Sequence, residues 1–265
     1  MQPSSSVTDH SAPGVSLTDA IRLMSRCYGP FSEEPRLDPA HELVFTILSQ
    51  HTSDTNSARA FRRLMDRFGT LEAVARGSVQ EIEEAISSGG LARIKAPRIK
   101  NVLNRILALN GSLDLSFLRE MPLDQAKAWL RQLPGIGPKS AGIILSFALG
   151  RPAMAIDTHI YRVCKRLGVI GPKVTAEKAH ELLEAMVEPA QVFQFHVAFI
   201  NHGRRVCKAQ RPRCAECVVA RGCPSRSYFM DENSPPGSAF TLGSDGRAPT
   251  PAQIPHSLPV EDNEA

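Results

Sequence analysis

The sequence predicts an all-α fold, and three observations predict it. Successive segments between residues 16 and 203 space their apolar residues at i, i+3 and i+4, as a helix with one buried face requires. Several of these segments open on Ser or Asp and many stop at Gly, residues that cap a helix start and allow a left-handed end. No run of alternating apolar and polar residues survives that would read as a strand.

In chain order, "SLTDAIRLMSRCYG" begins with Ser16 as a cap and ends at Gly29. "DPAHELVFTILSQ" starts with Asp38 and Pro39, a cap followed by proline at the first helical position, and then turns strongly apolar. The pattern continues through "SARAFRRLMDRFG", "SVQEIEEAISSGG" and "IKAPRIKNVLNRILALNG". It then runs through "PLDQAKAWLRQLPG", "KSAGIILSFALG", "DTHIYRVCKRLG", "TAEKAHELLEAMV" and "QVFQFHVAFINHG". Residues 1–14 and 229–265 are rich in Pro, Ser, Gly and Thr without apolar periodicity, so both are expected to be disordered.

The net charge of +4 understates the basic character of the helical part. Six acids against one base give residues 231–265 a balance of −5, which leaves +9 on residues 1–230 and suits a polyanionic partner. No apolar run reaches the roughly 18 residues that a membrane span needs. The opening "MQPSSSVTDHSAPG" has neither the basic nor the apolar region of a secretory signal. A cytoplasmic protein is expected, nucleoid-associated in a prokaryote. In that compartment thiols stay reduced, and clustered cysteines read as a metal site before a disulfide framework.

"LPGIGPKSAG" joins two of the helical patterns into a helix–hairpin–helix. Gly135 and Gly137 permit a tight turn and let backbone N–H groups approach a ligand, and Pro138 suits the first turn of the next helix. Leu133, Ile136, Ile143 and Ile144 would clamp the two helices. A nucleotide P-loop is excluded, because Pro138 separates Gly137 from Lys139 and no strand precedes the loop. A purely structural hairpin or a grip on DNA backbone phosphate remain. Lys139 stands where a helix begins and opposes the dipole there. As a structural choice it is poor; as a nucleophile it is well placed. Asp157, heading the helix after the next turn, is an N-cap by position, and the chain reversal between them would return its carboxylate toward the lysine.

The second signal is "CKAQRPRCAECVVARGC", in which Cys207, Cys214, Cys217 and Cys223 give C-x6-C-x2-C-x5-C. This reads as one metal centre. A single C-x2-C with wider flanks leans away from zinc knuckles and toward an iron–sulfur cluster. Cys27 and Cys164 fall in helical patterns and are expected to be buried. Arg204, Arg205, Lys208, Arg211, Arg213 and Arg221 crowd the same loop, as a phosphate-facing surface with salt-dependent affinity would.

Together "LSQHTSD", "LPGIGPKSAG", "AIDTHIYRVCKRLG" and the cysteine spacing resemble the endonuclease III family of DNA glycosylases, from about Leu17 to Pro224. The resemblance implies two helical lobes with a DNA-binding cleft between them. One is a six-helix barrel domain over 34–151; the other, of 15–33 and 152–228, holds a [4Fe–4S] cluster on the four cysteines. It implies a monomeric bifunctional DNA glycosylase/AP lyase acting on double-stranded DNA that carries an oxidised pyrimidine or an abasic site. Lys139 would be the nucleophile and Asp157 its partner carboxylate. Gln50 would fill the space of a flipped base, and Leu91 and Arg93, in a second loop ending at Ile94, would reach the opposite strand. Leu133, Gly135, Ile136 and Gly137 of the hairpin, with His159, Arg205 and Lys208, complete the expected DNA contacts. Pro138 stands where relatives often carry a basic residue, and His51 replaces a small residue, so substrate range is less constrained than reaction type. Thr46 stands where the adenine-specific branch has its glutamate, and Lys139 where a thymine-mismatch branch has tyrosine; neither branch fits. Two alternatives stay open: a non-catalytic structure-specific DNA-binding protein, and a monofunctional uracil or mismatch glycosylase.

Overall fold

A computed structural model describes residues 14–230, and among these there is no strand. The disorder expected for 1–13 and 231–265 falls outside the described residues. The chain folds into two compact units. One takes residues up to Phe31, then 156–182, and those from Gln194 onward; the other takes 32–155 and 183–193.

The second unit carries α2 (Pro39–Ser49), α3 (Asp54–Phe68), α4 (Leu71–Arg76), α5 (Val79–Ile86), α6 (Ala92–Asn110), α7 (Leu123–Arg131) and α8 (Pro138–Ile143). Local chemistry starts most of them. Asp38 accepts from the backbone N–H of Ala40 and His41 ahead of Pro39, and Ser53 and Thr70 cap α3 and α4 in the same way. Ser78 and Glu81 form a reciprocal capping box on α5. The short α4 leaves no periodic signature in the sequence, because its six residues span less than two turns. Leu43, Val44, Ile47 and Leu48 of α2 are fully buried against a core that includes Leu64, Ile99, Leu103, Leu130 and Leu145. Glu42, also fully buried, is held by a two-point pair with Arg36 at 2.6 and 2.9 Å, while the guanidinium lies 4.7 Å over the Phe45 ring.

Past Ile143 the α8 segment widens into a π turn over Ile144–Ala148. Here α8 passes so close to the following extended segment that a Cβ on Gly142 would sit 2.2 Å from the Met154 carbonyl oxygen. Backbone cannot swing aside as a side-chain end can. Gly142→Ala is therefore expected to destabilise the protein by about 3 kcal/mol, at the upper end of overpacking penalties. Urea denaturation checks this, and an unchanged midpoint refutes it.

The first unit contains α1 (Leu17–Tyr28), α9 (Thr158–Arg166), most of α10 (Ala176–Met186) and of α11 (Val192–Arg205), and α12 (Arg226–Met230). Ser16 caps α1, whose Ala20, Ile21 and Met24 are buried, and the preceding Val15 N–H donates to the Gly222 carbonyl at 3.1 Å. Phe195 and Phe199 stack with centroids 4.3 Å apart. Cys164 is buried as expected, but Cys27 is exposed, because the last turn of α1 runs past its buried face. Composition alone starts the tail at 229; instead Phe229 lies in α12, with the Arg166 guanidinium 4.4 Å over its ring.

Candidate active site and cysteine centre

The hairpin between α7 and α8 is built from its own backbone. Ile136 N–H donates to the Leu133 carbonyl at 3.1 Å, and Gly135 takes φ +76°, open to glycine at little cost. Leu133 and Ile136 are buried, while Ile143 is only partly covered. No side chain caps α8, which opens on Gly137 and Pro138. Its first-turn N–H groups and the exposed Lys139 thus form an electropositive end suited to an anionic strand.

Asp157 lies in the other unit, half-buried, and caps α9 by accepting from the Ile160 N–H at 2.8 Å through Oδ1. Its Oδ2 has no hydrogen-bond partner among the described residues. His159, the next residue but one, hydrogen-bonds through Nδ1 to Arg162 at 3.1 Å, and α11 crosses beside it at Gly203, where a Cβ would meet the His159 Cβ at 2.8 Å.

Gln50 follows α2 and is half-buried; Leu91 is 47% exposed, and Arg93 is exposed with a 3.5 Å ion pair to Glu83. The structure joins the Gln50 turn, the Leu91 loop and the hairpin through α6, which supplies two residues that the motifs do not single out. Arg98 donates to Gln50 Oε1 at 2.8 Å, and buried Lys95 donates to the Leu48 carbonyl at 2.8 Å. Lys95 does leave a signal: it occupies an apolar-face position among Ala96, Ile99, Val102 and Leu103.

Cys207, Cys214, Cys217 and Cys223 line one cavity of about 20 Å³, walled by Val163, Leu167, Val206, Pro212 and Phe229. Burial pushes the Cys217 thiol up to about 11 and Cys223 up to about 12, and raises Cys214 as well. Bare thiols here are therefore neutral, and thiolates would need a cation beside them. Among the described residues no three His, Cys, Asp or Glu side chains close on a point that would hold a single ion. Arg166, only 4% exposed, organises the loop: it donates to the carbonyls of Lys208 at 2.6 Å and Ala209 at 2.8 Å, and lies 3.5 Å from Cys207 Sγ. Its own carbonyl accepts from Ser225 Oγ at 2.6 Å. His202 bridges the Tyr28 hydroxyl at 2.8 Å and Cys217 Sγ at 3.6 Å, and burial lowers its pKa to about 4. Arg204, Arg205, Lys208, Arg211, Arg213 and Arg221 are all exposed around this loop.

Residues 44–189 match the family described as HhH-GPD superfamily base excision DNA repair protein. The chain is 31% identical over 186 residues to an endonuclease III from Thermotoga maritima, covering 70% of this chain and 83% of that one. It is 34% identical over 211 residues to an endonuclease III from Synechocystis, covering 78% and 91%. Among solved structures, a trapped endonuclease III–DNA covalent intermediate superposes with a TM-score of 0.69 at 26% identity, covering 81% of this chain and 97% of that one.

Proposed function

Since the chain belongs to the HhH-GPD superfamily of base excision DNA repair proteins, we propose that it is a bifunctional DNA glycosylase/AP lyase acting on oxidised pyrimidines in duplex DNA. The observation that carries this reading is the placement of Lys139. It is exposed at the second position of a helix that no side chain caps, directly behind the turn made by Gly135 to Gly137. A glycosylase that only hydrolyses has no need of an amine there.

The backbone of Gly135 to Lys139 grips a phosphate and sets the register of the strand without reading its sequence. The damaged nucleotide leaves the stack at a cost of a few kcal/mol, least where damage has already weakened stacking. Gln50 takes the vacated space, and Leu91 and Arg93 engage the opposite strand. The Lys139 amine attacks C1′; its C–N bond forms as the glycosidic bond breaks, and the base departs with the electron pair and gains a proton. The Asp157 carboxylate stabilises the positive charge that develops on the sugar, and Oδ2 is the oxygen left over from capping α9. Loss of a proton from nitrogen and opening of the sugar ring give an iminium, which acidifies C2′–H. Removal of that proton expels the 3′ phosphate by β-elimination, and water then frees Lys139. His159, Arg205 and Lys208 are assigned to the DNA backbone.

Cys207, Cys214, Cys217 and Cys223 would hold a [4Fe–4S] cluster, a reading supported by their shared cavity and by a single C-x2-C with wider flanks. When bound, the cluster would fix the shape of the basic loop. Arg166 holds the same loop from the protein side.

Incubation with duplexes carrying single defined lesions tests the reading. Expected products are a 3′ unsaturated aldehyde and a 5′ phosphate at thymine glycol. An intact abasic strand would mean a monofunctional enzyme; binding with no cleavage on any lesion would mean a silent binder.

A further inference from the structure

Lys95 and Arg98 stand one turn apart on α6, and the reaction scheme above uses neither. Lys95 is 2% exposed, and among the described residues no carboxylate pairs with it. Its ammonium donates to Leu48 O at 2.8 Å, Thr52 Oγ1 at 2.9 Å and Gly89 O at 3.1 Å, which accounts for all three protons. Leu48 and Thr52 flank the Gln50 turn, whereas Gly89 belongs to the loop that leads to Leu91. The Thr52 hydroxyl closes the ring by donating to the same Gly89 carbonyl.

Each tied segment carries a non-glycine residue in the left-handed region, His51 and Leu91, both at φ +52°. Such residues persist only where their surroundings over-determine them. Arg98 adds the third tie. It bonds Gln50 Oε1 at 2.8 Å, and its Cδ and Nε lie 2.9 Å from where a Cβ on Gly135 would stand, so the hairpin glycine is also the space its side chain occupies. At the tips, Leu91 and Ile94 are 47% and 54% exposed, apolar side chains of the kind that wedge into a base stack.

We propose that Lys95, assisted by Arg98, is a positioning residue that presets the Gln50 turn and the Leu91 loop for base displacement. The ordering of both tips is then completed on folding rather than on the DNA. The inference rests on the base-excision reading and adds to it the device that couples the two tips.

The test uses full-length protein and a thymine-glycol duplex with 2-aminopurine beside the lesion, a base whose fluorescence rises on unstacking. Lys95→Met is expected to lower single-turnover excision by about 100-fold, the scale of a misplaced positioning group. It should suppress the fluorescence rise, yet slow cleavage of a preformed abasic site by less than about 3-fold, since that substrate has no base to displace. Gln50→Ala should add little to the Lys95→Met loss, because the two changes disable one device. Arg98→Leu, on a partly exposed site, is expected to show the same pattern at about 10-fold and serves if Lys95→Met does not fold. Normal fluorescence and excision in the variants overturns the proposal, as does equal slowing on the preformed abasic site or full additivity with Gln50→Ala. A wild-type protein inert on every lesion would sink the base-excision reading instead. The fluorescence comparison on bound duplex would then still decide whether Lys95 controls unstacking.

Discussion

Lys139→Gln is expected to abolish borohydride trapping of the protein on an abasic or thymine-glycol duplex and to cut strand cleavage by about 10,000-fold or more, the scale of losing a nucleophile. The exchange keeps a similar length and removes only the amine, and because Lys139 is exposed the fold should not change. Duplex affinity should fall far less, since the backbone N–H groups of the uncapped helix remain. Trapping undiminished by this change would place the nucleophile elsewhere. Asp157→Asn is the companion measurement. Asn caps a helix about as well as Asp, so thermal stability should hold while excision drops through loss of the negative charge. Asp157→Ala should lose the activity and about 1 kcal/mol of stability besides. A loss of activity in Asp157→Asn matched by an equal loss of stability would reduce the residue to its capping role.

Cys217→Ser is the second large effect. On the proposed cluster reading, the variant should lack the brown colour, visible absorbance and iron of the wild type, and with them the order of the loop from Cys207 to Cys223. Apart from the Arg166 bonds to Lys208 and Ala209, the loop is stiffened by short turns over Cys214–Glu216 and Ala220–Gly222. Duplex binding should weaken at moderate salt, because exposed Arg205 and Lys208 sit at the base of the same loop. Cys27→Ser, at an exposed thiol outside the cavity, should leave colour and iron unchanged. A colourless wild-type protein carrying one zinc would overturn the cluster assignment.

What is legible in the sequence is whatever is written locally. Ser16, Asp38, Ser78 and Asp157 each announce a helix within four residues, and each does cap one. The hairpin can be read because Gly135 takes a positive φ and Pro138 suits the first turn of α8, and the cysteines because their spacing brings them to one cavity. Buried and half-buried cations are harder. Arg166, Lys95 and Arg98 look like solvated charges in a basic chain, and only their tertiary partners, tens of residues away, reveal otherwise. The faint clue is periodicity, since Lys95 and Arg166 both interrupt an apolar face. The exposed thiol of Cys27 and the π turn at Ile144–Ala148 have no local signature, because both depend on where neighbouring elements end.

The unit that houses the cysteines begins with α1 and finishes near α12, and Val15 bonds Gly222 across that span of chain. On a ribosome this ordering has a consequence. The α1 segment must wait for residues 156–182 and those from Gln194 onward before its neighbours exist, whereas the Lys139 unit draws on nothing after Phe193. Synthesis therefore completes the hairpin unit early and leaves the thiol-bearing half to close last.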